Sequence, residues 1–237
     1  MARPDASPAR CRIKICGVTD PAEARAVEAA GADWIGLNFY PPSPRYVDPP
    51  RAGAILDAMA DRARAVGLFV GRPAAEIREG ARRLGLGVVQ LHGDEPPEIL
   101  PELEGLTVVK AFRIRDVGSL LELQAFLERA LELGRLPDVV LVDAHVPGVP
   151  GGTGRGIADD LLPLLPPLPR LALAGGLTPE NVADRVRAVR PWMVDVAGGV
   201  EAAPGRKDPG RVAAFVAAVR SCADADGGGA LPPVDIR

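Results

Sequence analysis

The residues of this chain that could do chemistry are scattered along its length, and each closes a short apolar run. Lys14 and Cys16 end the first run, Asn38 the second, and Gln90 and His92 a later one, while Lys110, Asp143 and Asp195 end three more. A thiol, carboxylates, an imidazole and an amide are groups that move protons or hold hydroxyls. Two glycine clusters follow the last two runs, Ala174-Gly175-Gly176-Leu177-Thr178 and Val196-Ala197-Gly198-Gly199-Val200-Glu201. Glycine lets main-chain N–H groups come close to phosphate oxygens, and a helix starting there adds a favourable dipole. Neither cluster contains a lysine or arginine, so an anion bound there relies on main-chain donors. The loop Tyr40-Pro41-Pro42-Ser43-Pro44-Arg45-Tyr46 is stiffened by proline and aims one guanidinium. A guanidinium can take a carboxylate with two parallel hydrogen bonds, the alternative being an exposed arginine making water contacts.

These groups can meet only if the apolar runs are neighbouring strands whose ends face the same way. The pattern predicts strands over residues 12–16, 33–38, 65–70, 88–91, 107–112, 139–143, 170–174 and 192–196. Between and after them it predicts helices over 20–30, 48–61, 74–84, 95–103, 117–133, 158–165, 178–189 and 209–223. Asp20 and Asp48 are placed to cap their helices, with Pro21 and Pro49 at the first helical positions. The strands are continuous apolar runs, as in a parallel sheet covered on both faces. Regular strand–helix alternation marks an α/β protein, and eight units argue for closure into a single (βα)8 TIM barrel. An open doubly wound sheet would usually carry a Gly-rich fingerprint after its first strand, and Cys16-Gly17-Val18-Thr19 is not one. In a barrel the active site lies at the C-terminal strand ends, and the loops after strands seven and eight are the recurring phosphate site. Lys14, Gln90, His92, Asp195, Gly175, Gly176, Ala197, Gly198 and Gly199 are therefore expected around the substrate.

Composition narrows the partners. The 237 residues suit one barrel spanning 12–222, with an extension over 1–11 and a Gly/Pro-rich flexible tail over 223–237. The net charge is −3 with no basic block, so no nucleic-acid partner is expected. No apolar run approaches a membrane span, so no membrane is expected either. Three cysteines do not make a disulfide framework and point to a reducing, cytoplasmic compartment. A third Gly-rich stretch, 148–156, lacks the Lys-Ser/Thr ending of a nucleotide-binding loop and reads as a lid.

Taken in order, Lys14-Ile15-Cys16-Gly17, residues 39–46, Gln90-Leu91-His92-Gly93-Asp94-Glu95, Leu141-Val142-Asp143, Gly151-Gly152-Thr153-Gly154, Ala174-Gly175-Gly176-Leu177 and residues 194–201 resemble phosphoribosylanthranilate isomerase of tryptophan biosynthesis. The resemblance covers residues 12 to 222. It implies a cofactor-free Amadori rearrangement of a small phosphorylated substrate, by a monomer or homodimer. It implies Cys16 as general base, Asp143 as general acid and Arg45 as the anchor of the anthranilate carboxylate. Lys14, two residues from Cys16 and on the same strand face, is expected to lower the thiol pKa. An enclosed, apolar setting is expected to keep a proton on Asp143. Cys11 and Cys222 read as small buried hydrophobes.

The chain departs from the resemblance in two places. Ala197-Gly198-Gly199 stands where many members have Ser-Ser-Gly, which removes hydroxyls that could bind phosphate. Arg155-Gly156-Ile157-Ala158-Asp159 replaces a common Lys/Gln-x-Phe-Asp-Trp run. Two other readings compete with this one: a related sugar-phosphate isomerase, such as the histidine-pathway isomerase or one acting on both substrates, and a barrel that only binds a phosphorylated ligand. The first uses an aspartate where this chain has Cys16. The second draws on the missing serines.

Overall fold

The computed structural model describes residues 10–143 and 161–225, with side chains as far as residue 222. Eight parallel strands close on themselves in sequence order. They are β1 (Arg12–Cys16), β2 (Trp34–Asn38), β3 (Ala65–Phe69), β4 (Val88–Leu91), β5 (Thr107–Arg113), β6 (Val139–Asp143), β7 (Leu171–Ala174) and β8 (Met193–Val196). The helices are α1 (Pro21–Ala29), α2 (Pro49–Ala58), α3 (Ala74–Leu84), α4 (Ile99–Glu102), α5 (Val117–Glu132), α6 (Val182–Val189) and α7 (Pro209–Ala225). The predicted (βα)8 barrel is the fold.

Local chemistry sets the helix starts. Asp20 accepts a hydrogen bond from Ala22 N–H with Pro21 next to it, and Asp48 accepts one from Arg51 N–H with Pro49 next to it. Asp116 and Ser119 exchange side-chain and main-chain hydrogen bonds in a capping box before α5. Strand alternation then divides the side chains. Ile13, Ile15, Ile35, Leu37, Val89, Leu91, Val194 and Val196 face the helices, where they meet Val27, Ile55, Ile77 and Phe215. The other set fills the barrel: Val66, Val88, Val109, Ala111, Val139, Leu141, Ala172 and Met193 form an apolar floor, with Trp34 and Trp192 against it. The floor supports the polar residues one layer higher.

Several boundaries differ from expectation. The helix expected over 95–103 is one turn, Ile99–Glu102, because Pro96 and Pro97 cannot supply main-chain donors. The helix expected over 178–189 begins only at Val182, because the Asn181 side chain accepts from Thr178 N–H and donates to Gly176 O, which holds the preceding turn open. The last helix runs through Ala225, beyond the expected domain end at 222. A short antiparallel pair, β9 (Glu201–Ala203) and β10 (Arg206–Lys207), follows β8 and was not foreseen. The 148–156 stretch, the Gly151–Gly154 motif, residues 158–160 of the expected sixth helix, residues 1–9 and residues 226–237 lie outside the described residues. No helix among the described residues is long and apolar enough to cross a membrane.

Candidate active site

A cleft of about 1460 Å³ opens at the C-terminal ends of the strands, and it gathers residues from across the chain. Cys16, Asn38, Arg45, His92, Asp143, Asp195 and both glycine clusters line it. Lys14 and Gln90 lie beneath this lining, fully buried. Lys110 faces the other way. It is on the helix side of β5, bonded to Glu95 at 2.9 Å and to Gly93 O at 2.5 Å, with Phe112 and Phe126 against it. Being one residue out of phase with the inward-facing Val109 and Ala111, it cannot reach the cleft. Glu95 also accepts from Gly71 and Gly93 N–H, so the Gln90–Glu95 motif is partly structural.

Cys16 ends β1, and its thiol packs into space left by Gly36 on β2. A Cβ at Gly36 would lie 2.8 Å from Cys16 Sγ and 3.2 Å from Lys14 Nζ. Lys14 Nζ donates to both carboxylate oxygens of Asp195 at 3.0 Å. Burial works against its charge, but the Asp195 carboxylate and Cys16 outweigh that and hold the ammonium above its ordinary value. Lys14 lowers the Cys16 pKa as expected, but the thiol still ends above its ordinary value. Burial pushes the thiol up; Lys14 acts the other way, but its charge is shared with Asp195, whose carboxylate also opposes a thiolate. The same-face geometry is as expected, and the desolvation could not be judged from spacing.

His92 stands on the same face as Gln90, whose amide lies 2.8 Å from His92 Nδ1. With the amide N–H donating, Nδ1 is the acceptor and the ring proton sits on Nε2. Burial, with Lys14, Arg113 and Lys110 nearby, lowers the His92 pKa to about 4 despite the opposing Asp195. The imidazole is therefore neutral at physiological pH. Asp143 ends β6 in register with Arg113, and both line the cleft. Arg113 carried no sequence signal beyond its position at the end of an apolar strand.

Arg45 reaches the opposite side of the cleft. Its Nε and Nη2 donate to Glu201 Oε1 and Oε2, both at 2.7 Å. Lys207 donates to Glu201 Oε1 at 2.8 Å and to Ala197 O at 3.1 Å. Glu201 is thereby held below the usual carboxylate range even though its burial pulls upward. Sequence reading left Glu201 without a role, although an acid in an otherwise Gly-rich apolar run was a usable signal. Lys207, in an unexpected hairpin, offered none.

Gly175 and Gly176 both take positive φ, 92° and 63°, a backbone conformation that favours glycine, and both line the cleft. Gly198 opens a short 3-10 turn, Gly198–Val200. Among the described residues, no loop or cap hydrogen bond uses the N–H groups of Gly175, Gly176, Gly198 or Gly199 as donors. Arg211 donates twice to Gly199 O from outside, at 3.0 and 3.1 Å, and so fixes that peptide's orientation.

A thiol, a carboxyl, a neutral imidazole, a guanidinium and a cradle of main-chain donors thus share one cleft. Comparison with known proteins agrees. The family model described as N-(5'-phosphoribosyl)anthranilate (PRA) isomerase matches residues 13–218. The chain is 43% identical over 205 residues to N-(5'-phosphoribosyl)anthranilate isomerase of Geobacter sulfurreducens, covering 86% of this chain and 96% of that one. It is 42% identical over 217 residues to the same enzyme of Myxococcus xanthus, covering 89% and 96%. Among solved structures, phosphoribosyl anthranilate isomerase from Thermotoga maritima superposes with a TM-score of 0.76 at 34% identity, over 89% of this chain and 99% of that one. Another, in complex with reduced 1-(o-carboxyphenylamino)-1-deoxyribulose 5-phosphate, gives 0.74 at 32% identity, over 89% and 99%. The chain belongs to the N-(5'-phosphoribosyl)anthranilate isomerase family.

Proposed function

We propose that this chain catalyses the Amadori rearrangement of N-(5-phosphoribosyl)anthranilate to 1-(2-carboxyphenylamino)-1-deoxyribulose 5-phosphate, a step of tryptophan biosynthesis, with Cys16 as base, Asp143 as acid and Arg45 on the anthranilate carboxylate. The observation that carries this reading is the convergence of Cys16, Asp143, Arg45 and the two glycine clusters on one cleft. Asp143 protonates the ribose ring oxygen. The C1–O bond breaks and the amine lone pair forms the C1=N iminium. The Cys16 thiolate takes the C2 proton, and the C–H electrons give the enolamine. That species shifts a proton from the enol oxygen, with C1 gaining one, to yield the ketone.

The raised Cys16 pKa has two consequences for this step. Less of the free enzyme holds a thiolate, but the thiolate formed is a stronger base toward a carbon acid. The neutral His92 offers a sugar hydroxyl an uncharged imidazole hydrogen-bonding partner. The phosphate sits on the N–H groups around Gly175-Gly176 and Gly198-Gly199, without side-chain hydroxyls at Ala197 and Gly198. The histidine-pathway reading lacks an aspartate at the end of β1, where Cys16 stands.

Steady-state consumption of N-(5-phosphoribosyl)anthranilate by purified protein tests the proposal, with inorganic phosphate as competitor. Turnover with competitive inhibition by phosphate is the expected result. Tight binding without turnover would leave a phosphate-binding barrel, and turnover of a histidine-pathway substrate alone would replace the assignment.

A further inference from the structure

Arg45 is already engaged through one edge, and the structure shows how it can still hold a ligand. A guanidinium has two edges that can each meet a carboxylate. Glu201 occupies the Nε/Nη2 edge with two 2.7 Å hydrogen bonds. Among the described residues the hydrogen bonds of this guanidinium use only Nε and Nη2, and Arg45 lines the cleft. An Arg–Glu pair alone is electrically neutral and attracts an anion poorly. Lys207, its side chain only 1% exposed, adds a second cation against the same carboxylate. The arrangement is therefore two cations around one acid.

The backbone around this triad is built to hold it. Gly17 at the end of β1 has φ +74°, and a Cβ there would lie 2.4 Å from Arg45 Cδ. Gly205, in the β9–β10 turn, packs so closely that a Cβ would lie 2.5 Å from Pro44 O. Thr19 Oγ1 donates to Gly205 O at 2.7 Å, and Lys207 N–H donates to Glu23. The hairpin thus clasps the Arg45 loop from one side and the β1–α1 loop from the other. Without the hairpin, a long flexible arginine at the rim would pay side-chain entropy for each ligand it ordered.

We propose that Glu201 and Lys207 are positioning residues that mount Arg45: Glu201 fixes the guanidinium plane, and Lys207 offsets the Glu201 charge so that Arg45 keeps its attraction for an aryl carboxylate. This rests on the reading that Arg45 binds the substrate carboxylate. Glutamine in place of Glu201 has one acceptor oxygen and an amide N–H₂, so it cannot face all three donors at once. Methionine in place of Lys207 leaves the Arg45–Glu201 pair neutral.

The test measures dissociation constants of two ligands, reduced 1-(2-carboxyphenylamino)-1-deoxyribulose 5-phosphate and its counterpart without the carboxylate. Glu201→Gln and Lys207→Met are each examined in the wild-type and Arg45→Ala backgrounds. Each is expected to weaken the carboxylate ligand about tenfold, the order of one lost charge-assisted hydrogen bond. The counterpart should change less than about twofold, and in the Arg45→Ala background neither substitution should matter. If Arg45→Ala discriminates between the ligands while both other variants leave the carboxylate ligand unaffected, the mount is overturned and the role of Arg45 stands. It is likewise overturned if they weaken both ligands equally in both backgrounds, as a purely structural loss would. If Arg45→Ala itself fails to discriminate, the carboxylate reading falls and the mount with it.

Discussion

Gly36→Ala is the sharpest probe of how the thiol is held. The new methyl carbon would lie 2.8 Å from Cys16 Sγ, 3.0 Å from Cys16 Cα and 3.2 Å from Lys14 Nζ. The sulfur contact is about 0.6 Å inside the 3.4 Å at which ordinary contact begins, and two of the three neighbours are the reactive side chain and its cation. Cys16 Cα is fixed in the ladder with Gly36, so the side chains must move. A misplacement of about 1 Å at a reacting group costs roughly 10²-fold, so a shift of about half that should cost on the order of tenfold in kcat, or about 1.4 kcal/mol. Overpacking should also cost about 1–3 kcal/mol of stability. The control is Gly53→Ala in α2, where nothing lies within 4 Å and a gain of about 0.5–1 kcal/mol is expected. Steady-state kinetics and thermal melting of both variants, with the rate of Cys16 alkylation against pH, give the readouts. A Gly36→Ala enzyme with wild-type kcat and an unchanged alkylation profile would refute the view that this gap sets the thiol's position.

Cys16→Ala should lose about 10²–10⁴-fold in kcat. Cys11→Ala and Cys222→Ala should retain wild-type turnover, since burial pushes the Cys11 thiol up to about 12 and Cys222 packs under α6; equal losses in all three would sink the base assignment. Asp143→Asn should lower kcat and kcat/KM together, because a proton delivered as the ring opens is a transition-state contribution, and an effect on KM alone would contradict it. His92 should remain neutral down to about pH 4, and its imidazole resonances should not titrate between pH 8 and 5. Because the unfolded ring binds its proton near pH 6.5, stability should be lost as pH falls from there toward about 4, by up to about 3 kcal/mol; an unchanged acid denaturation curve in His92→Gln would contradict this.

The sequence made the architecture legible where local signals were strong. Asp20-Pro21 and Asp48-Pro49 marked helix starts through caps that the structure forms, and the β-branched runs placed all eight strands within about two residues. Prediction failed where side chains competed with the backbone, as at Asn181, which unwinds the turn expected to begin at Thr178. For the site, types and positions were readable but partners were not. Lys14 stands two residues from Cys16, yet its pairing with Asp195 spans 181 residues, and the burial that outweighs its lowering of the thiol pKa is not readable from spacing. Lys110 stood at a strand end like the others, and only the phase of β5 shows that it faces Glu95 and the helices. Glu201 and Lys207 were invisible as a mount because their meaning depends on a loop more than 150 residues away in sequence.

The Lys14–Asp195 pair also bears on how the protein is made. One member lies in the first strand and the other in the last, 181 residues later. At about 5–20 residues per second, a ribosome needs on the order of ten seconds or more to deliver Asp195 after Lys14 has emerged. Throughout that interval the lysine lacks the acid it meets in the barrel, and enclosing an unpaired ammonium in an apolar interior is strongly unfavourable. The nascent first strand is thus discouraged from burying its inner face against the wrong neighbour, and closure waits for β8. A message truncated before residue 195 should therefore yield a chain that stays open and protease-sensitive at β1, while one ending just beyond α7 should close.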